Sequence, residues 1–68
     1  MKISYKKLWK LLIDKELMKK DLAEMANISP ASIAKLGRNE NVNTDILLRI
    51  CSALECDISD IMEVTEDS

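Results

Sequence analysis

Apolar residues recur along this chain at spacings of three and four, the period of a helix with one face in a core. No period-two alternation persists, and no Asn-Gly or Asp-Gly pair offers a hairpin. Five short helices are predicted. The first spans about Tyr5 to Lys15, capped by Ser4, with Ile3 placed to staple onto Leu8. Leu8, Leu11, Leu12 and Ile13 form its apolar arc, with Trp9 at the edge. The second spans about Lys19 to Ala26. Leu22, Met25 and Ala26 share one face, the start is weakly signalled because Met18 is no cap, and Asn27 ends it in a left-handed turn. The third follows Ser29 as N-cap, with Pro30 in the first turn, Ile33 and Leu36 inward and Gly37 as its C-cap. After a polar loop from Arg38 to Asn43, a fourth helix runs from about Thr44 to Leu54. Asn43 caps it, and Leu47, Ile50, Cys51 and Leu54 make its stripe. A fifth is expected from about Ile58 to Glu63, with Asp57 and Asp60 as a capping box and Cys56 stapled onto Ile61.

Composition narrows what such a chain can be. With 68 residues it makes one domain, assigned to residues 1–64, with residues 65–68 expected to fray as an acidic tail. A domain of this size buries only about 60% of its unfolded surface, so its core has little margin. No apolar run nears the roughly 18 residues of a membrane span, and Met1, Lys2 and Ile3 do not open a signal peptide. Cytoplasmic residence and no membrane association are expected. There is no histidine and there are two cysteines, too few ligands to close a zinc site, so no metal or cofactor is expected. Cys51 and Cys56 are read as small core residues, with a disulfide or redox role as the alternative. Without histidine, a glycine-rich loop or clustered carboxylates, no catalytic constellation assembles, which argues against an enzyme.

The net charge of −2 seems unfavourable for binding a polyanion, but its distribution reverses that. Residues 1–54 carry all ten basic residues against six acidic ones, a local +4, whereas residues 55–68 carry six acids and no base, −6. Local surface sets phosphate attraction. The acidic end is read first as a solvated terminus, and second as a brake on loose DNA binding. Lys6, Lys7 and Lys10 are read first as a solvated face, with phosphate contacts as the alternative. Trp9 is read as a cover for the core edge, with a dimer or partner interface as the alternative.

The segment from Lys19 to Arg38 carries the function. Two short helices meet across Asn27-Ile28-Ser29, and small Ala23 allows a steep crossing. Ile28, Ile33 and Leu36 anchor the second of them. Ser29, Ala31, Ser32 and Lys35 are left facing outward, short side chains and one long cation that suit entry into a DNA major groove. The free amides at that helix start favour phosphate.

This segment, DLAEMANISPASIAKL, followed by an Asn-rich loop and DILLRICSALECDISDIM, resembles the phage-repressor (Cro-type, or XRE-type) helix-turn-helix family over about residues 5–63. The resemblance implies an all-α, five-helix, lambda-repressor-like domain that regulates transcription, more often as a repressor. It implies double-stranded DNA as partner and a homodimer on a roughly palindromic site. By position it assigns Pro30, Ala31 and Lys35 to base edges with Ser29 and Ser32 beside them, Lys19 to a phosphate, and Arg38, Asn39, Asn41 and Asn43 to the loop along the backbone. Two departures stand out. Pro30 and Ala31 cannot make the bidentate adenine contacts of a glutamine, so readout falls on Lys35, serine hydroxyls, methyl contacts and DNA shape. Many members link the first helix to the end of the third by a buried Arg–Glu pair; the aligned residues here are Leu12 and Gly37, so an apolar substitute is expected. A protein-interaction or antitoxin-like module with its own protein partner is the alternative use of the same fold.

Overall fold

A computed structural model describes residues 1–66. Four α-helices follow the predicted pattern: α1 Lys6–Asp14, α2 Lys19–Ala26, α3 Pro30–Gly37 and α4 Thr44–Leu54. The expected fifth helix is instead one 3-10 turn, Ile58–Asp60. Its capping box is real: the Asp57 amide donates to the Asp60 carboxylate (2.9 Å), and the Asp57 carboxylate accepts from the Ile58 amide (2.7 Å). The helix does not propagate because the chain is diverted. Ile61 is pulled fully into the core, and Glu63–Thr65 forms a strand, β2, antiparallel to β1, Lys2–Ser4. The register is Lys2 with Thr65, Ile3 with Val64 and Ser4 with Glu63. The expected class holds as a mostly helical domain, but the five helices are corrected to four, with a small two-stranded sheet, among the described residues. The tail expected to fray from residue 65 begins inside β2; its last two residues, Asp67 and Ser68, lie outside the described residues.

The core draws on β1 and the four helices, with Tyr5, Leu17, Ile28, Cys56 and Ile61 from the connecting segments. Tyr5, Leu8, Leu12, Leu22, Ala26, Ile28, Leu36, Leu47, Ile50, Leu54 and Ile61 are buried, with Ile3, Trp9, Leu17, Ile33, Cys51 and Cys56 partly buried against them. Tyr5 was read only as the first residue of a helix, yet it is a central core side chain. It precedes α1, whose first amide donates to the Ser4 hydroxyl (Lys6 N to Ser4 Oγ, 3.3 Å). The phenol reaches the chain after α3, where its O–H donates to the Glu40 carbonyl (3.1 Å), and its backbone amide donates to Asn39 Oδ1 (3.0 Å).

All four helices stop in the same way. Glu16, Asn27, Asn39 and Glu55 have φ of 57, 56, 57 and 52°, the left-handed region. The amide of the residue after each returns to a carbonyl five residues back: Leu17 to Leu12, Ile28 to Ala23, Glu40 to Lys35 and Cys56 to Cys51, at 2.9–3.0 Å. This is the Schellman stop, which also brings together the two side chains at the ends of that bond. Three of the four pairs are apolar, and Cys51 with Cys56 is one of them. That packing role supports the structural reading of the thiols, both of which are free. Gly37, expected to cap α3, is instead its last helical residue, and Asn39 makes the left-handed turn.

Candidate nucleic-acid interface

The start of α2 is secured by a signal that Met18 concealed. Asp21, in the first turn, accepts a hydrogen bond from the Met18 amide (2.8 Å), one half of a capping box. At the other end Asn27 turns the chain, and its carbonyl accepts from Arg49 Nη1 on α4 (3.0 Å). Arg49 is itself held by Asp45 one turn earlier (3.0 Å). This cation, to which the sequence reading gave no role, fixes the helix-turn-helix against α4 instead of meeting a ligand.

Ser29 then caps α3, accepting from the Ser32 amide (3.2 Å), while its hydroxyl donates to Ser32 Oγ (3.2 Å). Both hydroxyls are engaged with each other. Ser32, expected to face outward, is half-buried, as is Ile33, and Leu36 is fully buried. Among the exposed residues of α3 and its caps, which include Ser29 and Gly37, Ala31, Ala34, Lys35 and Arg38 share one face at spacings of three and four. Ala34 was missed by the sequence reading, although its helical position between Ala31 and Arg38 places it there. Pro30 is also exposed, at the edge toward α2.

Lys19 and Lys20, with Ala23, Asn27, Pro30 and Ile33, line the groove between α2 and α3. The Lys19 amine stands 4.6 Å from the centre of the Trp9 ring. A Cβ added at Gly37 would lie 3.8 Å from the same amine. The expected apolar link between α1 and the end of α3 is thus apolar at buried Leu12, but at Gly37 it is a cation seated on an aromatic face, worth about 0.5–1 kcal/mol at an exposed site. The arrangement holds Lys19 beside α3.

The loop residues divide. Asn39 spends its side-chain oxygen on Tyr5 and so fixes the loop to the core. Asn43 caps α4, accepting from the Asp45 amide (3.4 Å). Arg38 is paired with Glu40 in an exposed ion pair, which raises the guanidinium pKa and, through the hydrogen bond from Arg38, lowers that of the Glu40 carboxyl. Asn41 is exposed and close to Lys35 and β1. The structure therefore brings Lys19, Pro30, Ala31, Lys35, Arg38 and Asn41 to one surface, while Ser29, Ser32, Asn39 and Asn43 act within the fold. Chemically the surface offers cations around a helix with a short-chained outer face, and no group of three metal-ligating side chains occurs among the described residues. No described helix is long and apolar enough to cross a membrane.

Comparison with known proteins agrees with the helix-turn-helix fold. No curated protein sequence matches the chain. Among solved structures it is similar to one described as the crystal structure of transcriptional regulator VanUg, form II, with a TM-score of 0.92 and 48% sequence identity, covering 97% of this chain and 88% of that one. The family described as the Cro/C1-type HTH DNA-binding domain matches residues 7–67. The chain belongs to the Cro/C1-type helix-turn-helix DNA-binding family.

Proposed function

We propose that this protein is a DNA-binding transcriptional regulator acting as a repressor, with α3 laid in the major groove. The observation that carries the reading is the outer face of α3. Ala31 and Ala34 let the helix approach the base edges, and Lys35 and Arg38 stand beside them as long donors. Lys35 reads a guanine edge, Ala31 and Ala34 touch thymine methyls, and Pro30 sets the entry of the helix. Lys19 and Asn41 hold phosphates, and Arg38 joins them when it leaves Glu40. The similarity to a structure described as a transcriptional regulator supports the regulatory role. A homodimer on a near-palindromic site is part of the proposal, since a single short helix reads few base pairs. Exposed Leu48, Ile58 and Val64 supply apolar surface for a second copy. Action in the cytoplasm is part of the proposal.

Selection of bound sequences from a random DNA pool tests this reading. A preferred motif repeated at one fixed spacing is expected. Lys35→Ala should then cost about 1–3 kcal/mol and relax preference at one position of each half-site. Absence of any enriched sequence, with binding equal on all DNA, would sink it. The alternative use as a protein-interaction module is favoured only by the same exposed apolar side chains. It would be chosen if a stoichiometric protein partner bound unchanged to Lys35→Ala.

A further inference from the structure

If α3 lies in a major groove, whatever flanks it on either side meets the sugar-phosphate backbones. The groove is about 12 Å wide, and a helix with its side chains is about 10–12 Å across, so little else fits between. One flank is the start of α2 with Lys19 and Lys20. The other is β1. Met1, Lys2 and Ile3 line a groove with Lys35, Asn39, Glu40 and Asn41, at the C-terminal end of α3.

β1 is not a loose terminus. It is paired with β2 along Lys2, Ile3 and Ser4, and the Thr65 hydroxyl donates to the Lys2 carbonyl (3.4 Å). Ile3 packs against the core, so the strand alternation places Lys2 on the opposite face, where it is exposed. The next residue, Tyr5, is fastened to Asn39 and Glu40. The position of Lys2 relative to α3 is therefore set by the fold. Neither Lys2 nor Lys35 makes an ion pair among the described residues, whereas Lys7, Arg38 and Arg49 do. The groove's carboxylate, Glu40, is already engaged by Arg38. Lys35 also lies within electrostatic reach of Glu40, so the Lys2 amine and the Asn41 amide are the groups left for a ligand, and their chemistry suits a phosphodiester oxygen.

We propose that β1 is a second phosphate-binding shoulder of the DNA interface, with Lys2 as its cation and Asn41 as its neutral donor. The proposal rests on the reading of α3 as the DNA-contacting helix. It also gives the acidic C-terminal segment a structural task, because β2 is what holds β1 beside α3.

The salt dependence of DNA affinity tests it on the full-length chain. Each phosphate neutralised contributes about −0.9 to the slope of log affinity against log salt between about 50 and 200 mM. Lys2→Gln should flatten the slope by about 0.9, with a loss of roughly three- to tenfold at low salt that is equal on preferred and random DNA. Lys2→Arg should keep the wild-type slope. Lys6→Gln removes an exposed charge of the same sign from α1 and should leave the slope unchanged. Thr65→Pro, which removes from β2 the hydroxyl bound to the Lys2 carbonyl and the amide opposite Lys2, should reproduce the Lys2→Gln loss while helix content by circular dichroism is kept. A Lys2→Gln slope equal to wild type, or an equal flattening by Lys6→Gln, would overturn the proposal. So would a loss confined to the preferred sequence, which would make Lys2 a base reader. Failure of the underlying reading would show separately, as wild-type protein with no salt-dependent binding to any DNA.

Discussion

The chain has one glycine, and it sits where a glycine is not needed. Gly37 closes α3 with ordinary helical backbone, while four non-glycine residues occupy the left-handed turns. Replacing it with alanine has a sign that can be worked out. A Cβ there would meet only the Lys19 amine, at 3.8 Å, an ordinary contact. What remains is the backbone freedom that glycine loses on folding, about 0.5–1 kcal/mol in a helix interior. At the last helical position the lower end applies. Gly37→Ala should stabilise by about 0.5 kcal/mol, and a domain of this size gains about 4–8 °C in Tm per kcal/mol, so a rise of about 2–4 °C is expected. Had Gly37 been the left-handed stop, alanine would cost about 1–2 kcal/mol. Asn39 supplies the contrast. Asn39→Gly keeps the turn but removes the acceptor of the Tyr5 amide, a loss of about 0.5–1.5 kcal/mol. Asn39→Ala also adds the left-handed penalty. Thermal melts followed by circular dichroism should rank Gly37→Ala above wild type, then Asn39→Gly, then Asn39→Ala. A fall in Tm for Gly37→Ala would refute the assignment of the α3 stop to Asn39.

Glu55 ends α4 in the left-handed region with no side-chain preference for it, so Glu55→Gly should raise stability by about 1 kcal/mol in chemical denaturation; a lower midpoint would contradict this. Leu36 is fully buried beneath α3, and Leu36→Ala should cost about 2–5 kcal/mol. Total stability for a chain of this length is about 3–10 kcal/mol, so the variant loses a large share of it and should melt at least about 8 °C below wild type, and a cooperative melt near the wild-type Tm would count against the core described. Burial holds the pKa of the Cys51 and Cys56 thiols and of the Tyr5 phenol above their ordinary values. These groups are neutral when protonated, so the unfolded chain releases their protons first. Their contribution is present below the unfolded pKa, about 8.5 for the thiols, and is lost as pH rises through the folded values. Tm should therefore fall above about pH 8.5, less steeply in Cys51→Ser/Cys56→Ser, and a Tm that holds constant to pH 11 would exclude this linkage.

The four helices were legible because each carries its own apolar stripe, and α3 and α4 also carry a polar N-cap, Ser29 and Asn43. What was misread depended on partners distant in sequence. The capping box of Asp57 and Asp60 is present as read, but nothing near it announces that Glu63–Thr65 pairs with Lys2–Ser4 at the other end of the chain. Three residues are too few for an alternation to show. Gly and Asn are the usual stop residues, which holds for Asn27 but not for Gly37, whose backbone is ordinary helix. The better signal was the apolar residue just beyond the stop: Leu17, Ile28 and Cys56 each pack back across a left-handed turn.

The same division runs through the interface. The outer face of α3 follows from helical geometry, and Ala31 and Lys35 were read from it correctly as exposed. The local chemistry that withdraws residues from that face was less visible. Ser29 and Ser32 bind each other, Asn39 binds Tyr5, and Arg38 binds Glu40. The long donors facing outward are thus reduced to Lys35, unless Arg38 exchanges its carboxylate for a DNA group. That exchange is favourable where phosphates crowd the surface, because an exposed ion pair is worth about 0–1 kcal/mol. On the proposed reading, a phosphate that takes Arg38 from Glu40 also withdraws it from the reading face, so base preference and backbone affinity would be coupled through Glu40.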